Sequence, residues 1–221
     1  MKTKILGLVA VGLLGTAGNA SANVVTLDFA GVVDPAIGNS TAVGEFYNGG
    51  TSGHGTSGTN YGVSFSLNGL ALNSYNGCCE PNSPPPGILF FLSGGAVTMN
   101  VASGFQNGFS FYYSSNSNAF IRVYDGLDAT GNVLATLALA TQANINCPPG
   151  STGFYCNWDP VGVSFAGTAR SVDFGGGANF VGYDLVTFGS STPGGVPEPA
   201  SLALLGLGLA GLGLSRRRKV A

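Results

Sequence analysis

The sequence predicts an all-β fold: a single jelly-roll-like β-sandwich with an N-terminal signal helix and a C-terminal hydrophobic helix. Three observations predict it. Apolar and polar residues alternate over short runs, as in Val63 to Leu67 and Val97 to Val101, which is the two-residue period of a half-buried strand. About ten such runs are separated by Gly, Asn and Ser clusters, the spacing of a two-sheet sandwich. Between residues 23 and 188 no stretch repeats its apolar residues convincingly at helical spacing, and Val133 to Ala140 reads as a strand with Thr136 midway.

The chain divides into four parts. Residues 1–22 have the layout of a secretory signal peptide: Lys2 and Lys4 precede an apolar run from Ile5 to Leu14, and Ala20, Ser21 and Ala22 supply small residues before Asn23. Residues 23–188 hold the sandwich. Within it Phe109, Phe111 and Tyr113 share one face, Ile121 and Val123 oppose Phe120, Arg122 and Tyr124, and the pairs Val163/Phe165, Val172/Phe174 and Val181/Tyr183 repeat the alternation. Three irregular stretches, Thr41 to Asn60, Asn73 to Gly87 and Cys147 to Asp159, read as surface loops. Residues 189–195 form a Gly/Ser/Thr linker that is expected not to pack, and 196–221 form the tail.

The tail has a physical order of its own. Val196, Pro197, Glu198 and Pro199 block helix propagation, Ala200 to Leu214 is apolar, and Arg216, Arg217, Arg218 and Lys219 resist translocation. At 1.5 Å per residue the apolar stretch is about 22 Å long, against a hydrocarbon thickness of about 30 Å. It crosses a bilayer only with local thinning or help from its flanks. The literal G-x-G-x-x-G at Gly206 to Gly211 lacks the preceding strand that a dinucleotide site needs.

Charge narrows the partners. Charged residues are 8% of the chain against about 25% in an ordinary soluble protein, so Asn, Ser, Thr and Gly must wet the surface. All lysines and all but two arginines lie in the targeting ends. The body keeps Arg122 and Arg170 against nine carboxylates, a net charge of about −7, which excludes nucleic-acid binding through phosphate neutralisation. Cations and neutral ligands suit it better.

Four cysteines in an exported chain favour disulfides. Cys147 is expected to bond Cys156 across a short loop, with the neighbours Cys78 and Cys79 bridged to one another in a strained form or to another partner. The alternative joins Cys78 and Cys79 separately to Cys147 and Cys156. Their spacing is not that of zinc ligands, and the single histidine, His54, lies in a Gly/Ser/Thr run.

Little points to catalysis. A serine triad would need His54 as its base and a Gly-x-Ser-x-Gly elbow, which is absent. A glycosidase would need two opposed carboxylates, and Asp159 with Asp173 or Asp184 are the pairs available, with nothing singling them out. The segment Asp125 to Asn132 reads as a hairpin turn more readily than as a calcium loop. Aromatic candidates for stacking on sugar rings are Trp158 and Tyr155, with Tyr47, Tyr61 and Tyr75 in similar loop-like surroundings.

The order V-P-E-P, then a Leu/Gly/Ala stretch, then an Arg cluster resembles the tail of PEP-CTERM sorting-domain proteins, over Val196 to Ala221. The resemblance implies that Pro197, Glu198 and Pro199 are the recognition motif of an exosortase, that Arg216 to Arg218 are the stop signal, and that this protein is the substrate of that enzyme. More loosely, the stretches Phe46 to Gly50, Asn60 to Phe65, Val123 to Gly126 with Gly131-Asn132, and Val181 to Gly189 resemble the sandwich domains of such proteins, which are similar to carbohydrate-binding modules. That resemblance implies a structural calcium shared by a first-strand and a last-strand acid, here Asp28 and Asp184.

The expectation is therefore a non-enzymatic protein of the surface or extracellular matrix of a Gram-negative bacterium, handled by signal peptidase and the export machinery. It is held transiently at the inner membrane, sorted by exosortase and associated with an extracellular polysaccharide. The alternative is a secreted hydrolase acting on glycans. The two separate on whether a bound polysaccharide releases reducing ends.

Overall fold

The computed structural model describes residues 24–73, 87–147, 149 and 155–194. Both expected terminal helices lie outside them, as do Tyr75, Cys78, Cys79 and the residues from Val196 onward.

Ten strands form one continuous antiparallel hydrogen-bonded sheet that doubles over into two layers. They are β1 (Val25–Leu27), β2 (Ser40–Ala42), β3 (Val63–Phe65), β4 (Leu70–Asn73), β5 (Gly87–Phe90), β6 (Ala96–Ser115), β7 (Ala119–Tyr124), β8 (Val133–Leu139), β9 (Asp159–Gly175) and β10 (Val181–Phe188). Two of them are far longer than the sequence pattern suggests. The runs around Val97 and Phe109 belong to one strand of 20 residues, and those around Val163 and Val172 to one of 17.

These two long strands make the corner. The first half of β6 pairs with β3 and with the end of β9, while its second half pairs with β10 and with the start of β9. Register shifts on either side of Phe105 bend the pair, and Gly104 (φ 74°) and Asn107 (φ 76°) supply the left-handed backbone that the bend requires. One layer is thus β2-β4-β5-β10-β6-β9 with β1 beside β10, and the other is β3-β6-β9-β7-β8.

Aromatic rings fill the space between the layers. Phe109 and Phe111 of the first layer meet Phe174 of the second edge-on, at centroid distances of 5.7 and 6.4 Å, and Tyr183 meets Phe174 at 5.0 Å. Such pairs add about 0.5–1.5 kcal/mol each beyond their area burial. The Tyr183 hydroxyl is satisfied by donating to the Gly175 carbonyl at 3.0 Å. The inward sides assigned from alternation to Phe109, Phe111, Ile121, Val123, Val172, Phe174, Val181 and Tyr183 are all buried.

The linker expected not to pack does pack. Over residues 189–194 it lies back on the outer face of the first layer, where the Gly189 N–H donates to the Gly108 carbonyl and Ser110 Oγ donates to the Ser190 carbonyl, both at 3.0 Å. Gly194 N–H donates to Thr187 Oγ1. Composition misled here because the receiving surface is itself made of glycine: a methyl group on Gly108 or Gly162 would collide with the Ser190–Ser191 backbone.

Candidate functional site

A cleft opens on the same outer face, at the other end of β10. Gly182 has no side chain there, and the Trp158 ring lies over it; a Cβ on Gly182 would stand 3.0 Å from Trp158 Cη2 and 3.3 Å from Ile88 Cδ1. Trp158 and Ile88 form a small apolar cluster separate from the main core, with Leu72 and Tyr112 against it. Leu72, Ile88, Phe90 and Val181 give the cleft its apolar lining, Trp158 and Tyr155 its aromatic side, and the exposed Asn179 a polar edge. Its volume is about 70 Å3.

The loop that carries the two aromatics is held from several directions. Cys147 and Cys156 are disulfide-bonded, with their Cα atoms 5.3 Å apart, as one of the two expected pairings requires. Tyr155 beside this bridge takes a left-handed backbone (φ 64°). Its N–H donates to Asn144 Oδ1 at 3.2 Å, and its hydroxyl donates to the Asn179 carbonyl at 3.0 Å. The Trp158 indole N–H donates to the Tyr155 carbonyl at 2.9 Å, and Asn157 N–H donates to the Ala143 carbonyl. Trp158 is only 5% exposed, so it serves as the wall of a cleft and not as an open platform. Of the other aromatics, Tyr47 is buried while Tyr61 remains 39% exposed.

The second constellation is acidic. The pairing of Leu27 with Val186 brings Asp28 opposite a bulge in β10 where the register shifts between Asp184 and Thr187 and Leu185 adopts φ 45°. Asp184 is fully buried. Its Oδ1 accepts the Leu185 N–H at 2.6 Å, while Oδ2 has no hydrogen-bond partner. Burial pushes its carboxyl up to about 8; the Leu185 N–H opposes the rise and the charge of Asp28 adds to it. The Tyr47 hydroxyl is raised by burial and by the charges of Asp28 and Asp184, against the pull of the Phe29 N–H that it accepts at 2.9 Å. The structure therefore brings Asp28 and Asp184 within each other's field, although no group of three or more His, Cys, Asp or Glu side chains forms a metal cluster among the described residues. An orphaned buried carboxylate oxygen beside a second carboxylate fits a hard cation, whose remaining ligands would be backbone oxygens or water.

The other carboxylates are placed differently. Asp159 and Asp173 lie 14 positions apart along β9, paired with Tyr113 and Thr98 respectively. Asp184 is the cross-strand partner of Tyr112, so it faces the opposite side of the sheet from Asp159. Neither pair considered for glycoside hydrolysis is assembled. Asp125 closes the β7–β8 turn by accepting the Asn132 N–H and Nδ2–H at 2.7 and 2.8 Å, and these bonds lower its carboxyl below the usual value. His54 Nδ1 accepts the Asp34 N–H at 3.2 Å within its loop.

Sequence reasoning named Trp158 and Tyr155 but missed Gly182 and Ile88. The Gly182 signal was legible only as a glycine inside an otherwise apolar strand, which marks the close approach of another group.

Residues 195–219 match the family model described as the PEP-CTERM protein-sorting motif. The chain carries a PEP-CTERM tail. This tail marks an exported, exosortase-processed protein of the cell surface or extracellular space. No curated relative matches the sequence.

The sandwich of this chain is similar in structure to carbohydrate-binding modules. The module CsCBM6-3 of Clostridium stercorarium, solved with cellobiose, is 18% identical over 58% of this chain and 87% of that one, with a TM-score of 0.37. A module of Cellvibrio mixtus lichenase 5A, solved with cellotriose, is 10% identical over 54% and 95%, with a TM-score of 0.34. A cleaved adhesin domain of the Lys-gingipain of Porphyromonas gingivalis is 15% identical over 59% and 85%, with a TM-score of 0.35.

Proposed function

We infer that this protein is a non-enzymatic component of the bacterial surface or matrix whose sandwich holds an extracellular polysaccharide at the Trp158 cleft. The observation that carries the reading is the disulfide-clamped loop that presents Tyr155 and Trp158 over a strand glycine, on a domain whose tail is a sorting signal. A cross-linked loop is pre-organised, so less ordering entropy opposes binding. The low charge of the surface favours a neutral polymer.

In this reading the precursor is cleaved by signal peptidase, stays at the inner membrane by its apolar tail, and is then processed by exosortase at the Val196 to Pro199 motif. Asp28 and Asp184 hold a structural calcium that fastens β1 to the bulge of β10; when bound, the ion supplies the positive charge that the buried Asp184 carboxylate lacks.

The test is affinity electrophoresis of the full chain through gels containing individual neutral polysaccharides, with calcium and with chelator, alongside an assay for reducing ends. Retardation without release of reducing ends supports the reading. Release of reducing ends favours the hydrolase, and free migration in every gel removes polysaccharide binding.

A further inference from the structure

The described chain ends at Gly194, on the face of the first layer that carries the Trp158 cleft. Gly194 N–H donates to Thr187 Oγ1, Thr187 is opposite Ser110, and Gly182 is opposite Ser114. Four residues of β6 therefore separate the end of the docked segment from the floor of the cleft, about 14 Å at strand rise. Midway lies Tyr112, half-buried on the same face and packed against the cluster of Trp158 and Ile88. The sequence that follows is Gly195-Val196-Pro197-Glu198-Pro199. Val196 and Glu198 each precede a proline, which favours extended backbone, and polyproline II rises 3.1 Å per residue. In that conformation Pro199, five residues beyond Gly194, reaches about 15 Å, while Pro197 stops at about 9 Å, beside Tyr112.

The cleft suits a proline in size and in chemistry. A cavity of about 150 Å3 takes the six carbons of benzene. At about 70 Å3 this cleft has room for three, the number that a proline ring adds to the backbone. Proline-rich segments dock in grooves lined by aromatic side chains. Here Trp158 and Tyr155 supply the aromatic side, Ile88 and Val181 apolar walls, and Asn179 an amide donor for a backbone carbonyl at the rim.

We propose that the cleft holds the chain's own sorting motif, with Pro199 in the cleft and Pro197 over Tyr112, and that a polysaccharide must displace the motif to bind. A segment tethered this closely is present at a millimolar effective concentration, enough to populate a weak contact. The motif is then withheld from exosortase until the cleft takes up polymer, so the loaded protein is the form that is processed. This consequence rests on the polysaccharide reading above; the contact itself does not.

The test uses the full chain in detergent and reads acrylamide quenching of Trp158, the only tryptophan, together with affinity electrophoresis through gels of hydroxyethyl cellulose. Pro199→Asn lies outside the sandwich and is expected to raise the quenching about twofold and to tighten polymer binding at least fivefold, because the competitor is gone. Unchanged quenching in Pro199→Asn overturns the contact. Raised quenching with free migration of both proteins supports the docked motif and counts against polysaccharide binding. Equal retardation of the native protein and Pro199→Asn leaves polysaccharide binding intact and overturns the competition. Leu72→Phe fills the cleft and is expected to abolish the effect of Pro199→Asn on quenching. An undiminished effect in a folded Leu72→Phe protein places the motif elsewhere and overturns the assignment. Quenching that responds to Pro85→Asn and not to Pro199→Asn gives the cleft to residues 74–86 and overturns it as well.

Discussion

Gly182 and Trp158 occupy one position between them: the indole ring stands where a side chain on residue 182 would be, 3.0 Å from the Cβ that glycine lacks. Replacing Gly182 by Val must move the ring or the strand. Overpacking of this kind costs about 1–3 kcal/mol. Chemical denaturation should register that loss, together with a red shift of tryptophan emission, since Trp158 is the only tryptophan and its displacement exposes it to water. Unchanged emission in a folded Gly182→Val protein would contradict this packing.

The Asp184 carboxyl is raised to about 8 by burial, despite the Leu185 N–H, with Asp28 adding to the rise. A group whose folded value is raised contributes stability that is complete below its unfolded value of 3.8 and disappears as pH climbs through the folded value. In chelator the melting temperature should therefore fall between pH 5 and pH 9, and Asp184→Asn should flatten that slope.

Calcium reverses the direction, because a bound cation stabilises the charged form. At pH 8 the melting temperature should rise with the logarithm of calcium concentration in the native protein and not in Asp184→Asn. A native protein indifferent to calcium at pH 8 ends the metal assignment.

The Cys147–Cys156 bridge spans nine positions, and closing a loop of that size stabilises by roughly 2.5–3 kcal/mol in the chain-entropy model. Cys156→Ser should lower stability by about that amount in denaturant titrations. The larger consequence is for the cleft, since Tyr155 and Trp158 lose the clamp beside them. Binding should weaken more than stability alone explains, and equal affinity in the folded variant would show that the bridge plays no part in shaping the site.

Gly162 and Gly108 leave room for the Ser190–Ser191 backbone. Gly162→Val should expel residues 189–194 from the sheet and make them susceptible to limited proteolysis while the domain stays folded. A protected segment in that variant would show that other contacts hold it.

The fold was legible where alternation is strict. Phe109, Phe111 and Tyr113 declare their inner face because the residues between them, Ser110 and Tyr112, carry hydroxyls and face the other side of the sheet, and Phe120, Arg122 and Tyr124 set off Ile121 and Val123 on β7 in the same way. The continuity of β6 was not legible, since Gly104 interrupts the alternation between the runs at Val97 and Phe109 and only the register on β9 shows a bend within one strand. Asp28 and Asp184 were suggested by resemblance, but the bulge that buries Asp184 depends on the φ of Leu185, a residue type that rarely takes that conformation and gives no warning in sequence. The packed linker escaped for a related reason. Its partners are glycines some 30 and 80 positions away, and an absent side chain leaves no pattern to read.

The docking of residues 189–194 also fixes where the described chain ends relative to the cleft. Thr187, against which Gly194 docks, and Gly182, where the cleft lies, are opposite Ser110 and Ser114 on β6, so the bulge keeps them on one face at a separation of about 14 Å at strand rise. The cleft and the point at which the described chain ends, Gly194 against Thr187, thus share one face of the first layer, and β7 and β8 belong to the other layer. A polymer held in the cleft would run alongside the attachment point, as a rope runs beside its cleat, so pulling on the polymer would load the short segment between them in shear and would leave the β7–β8 edge of the sandwich unstressed.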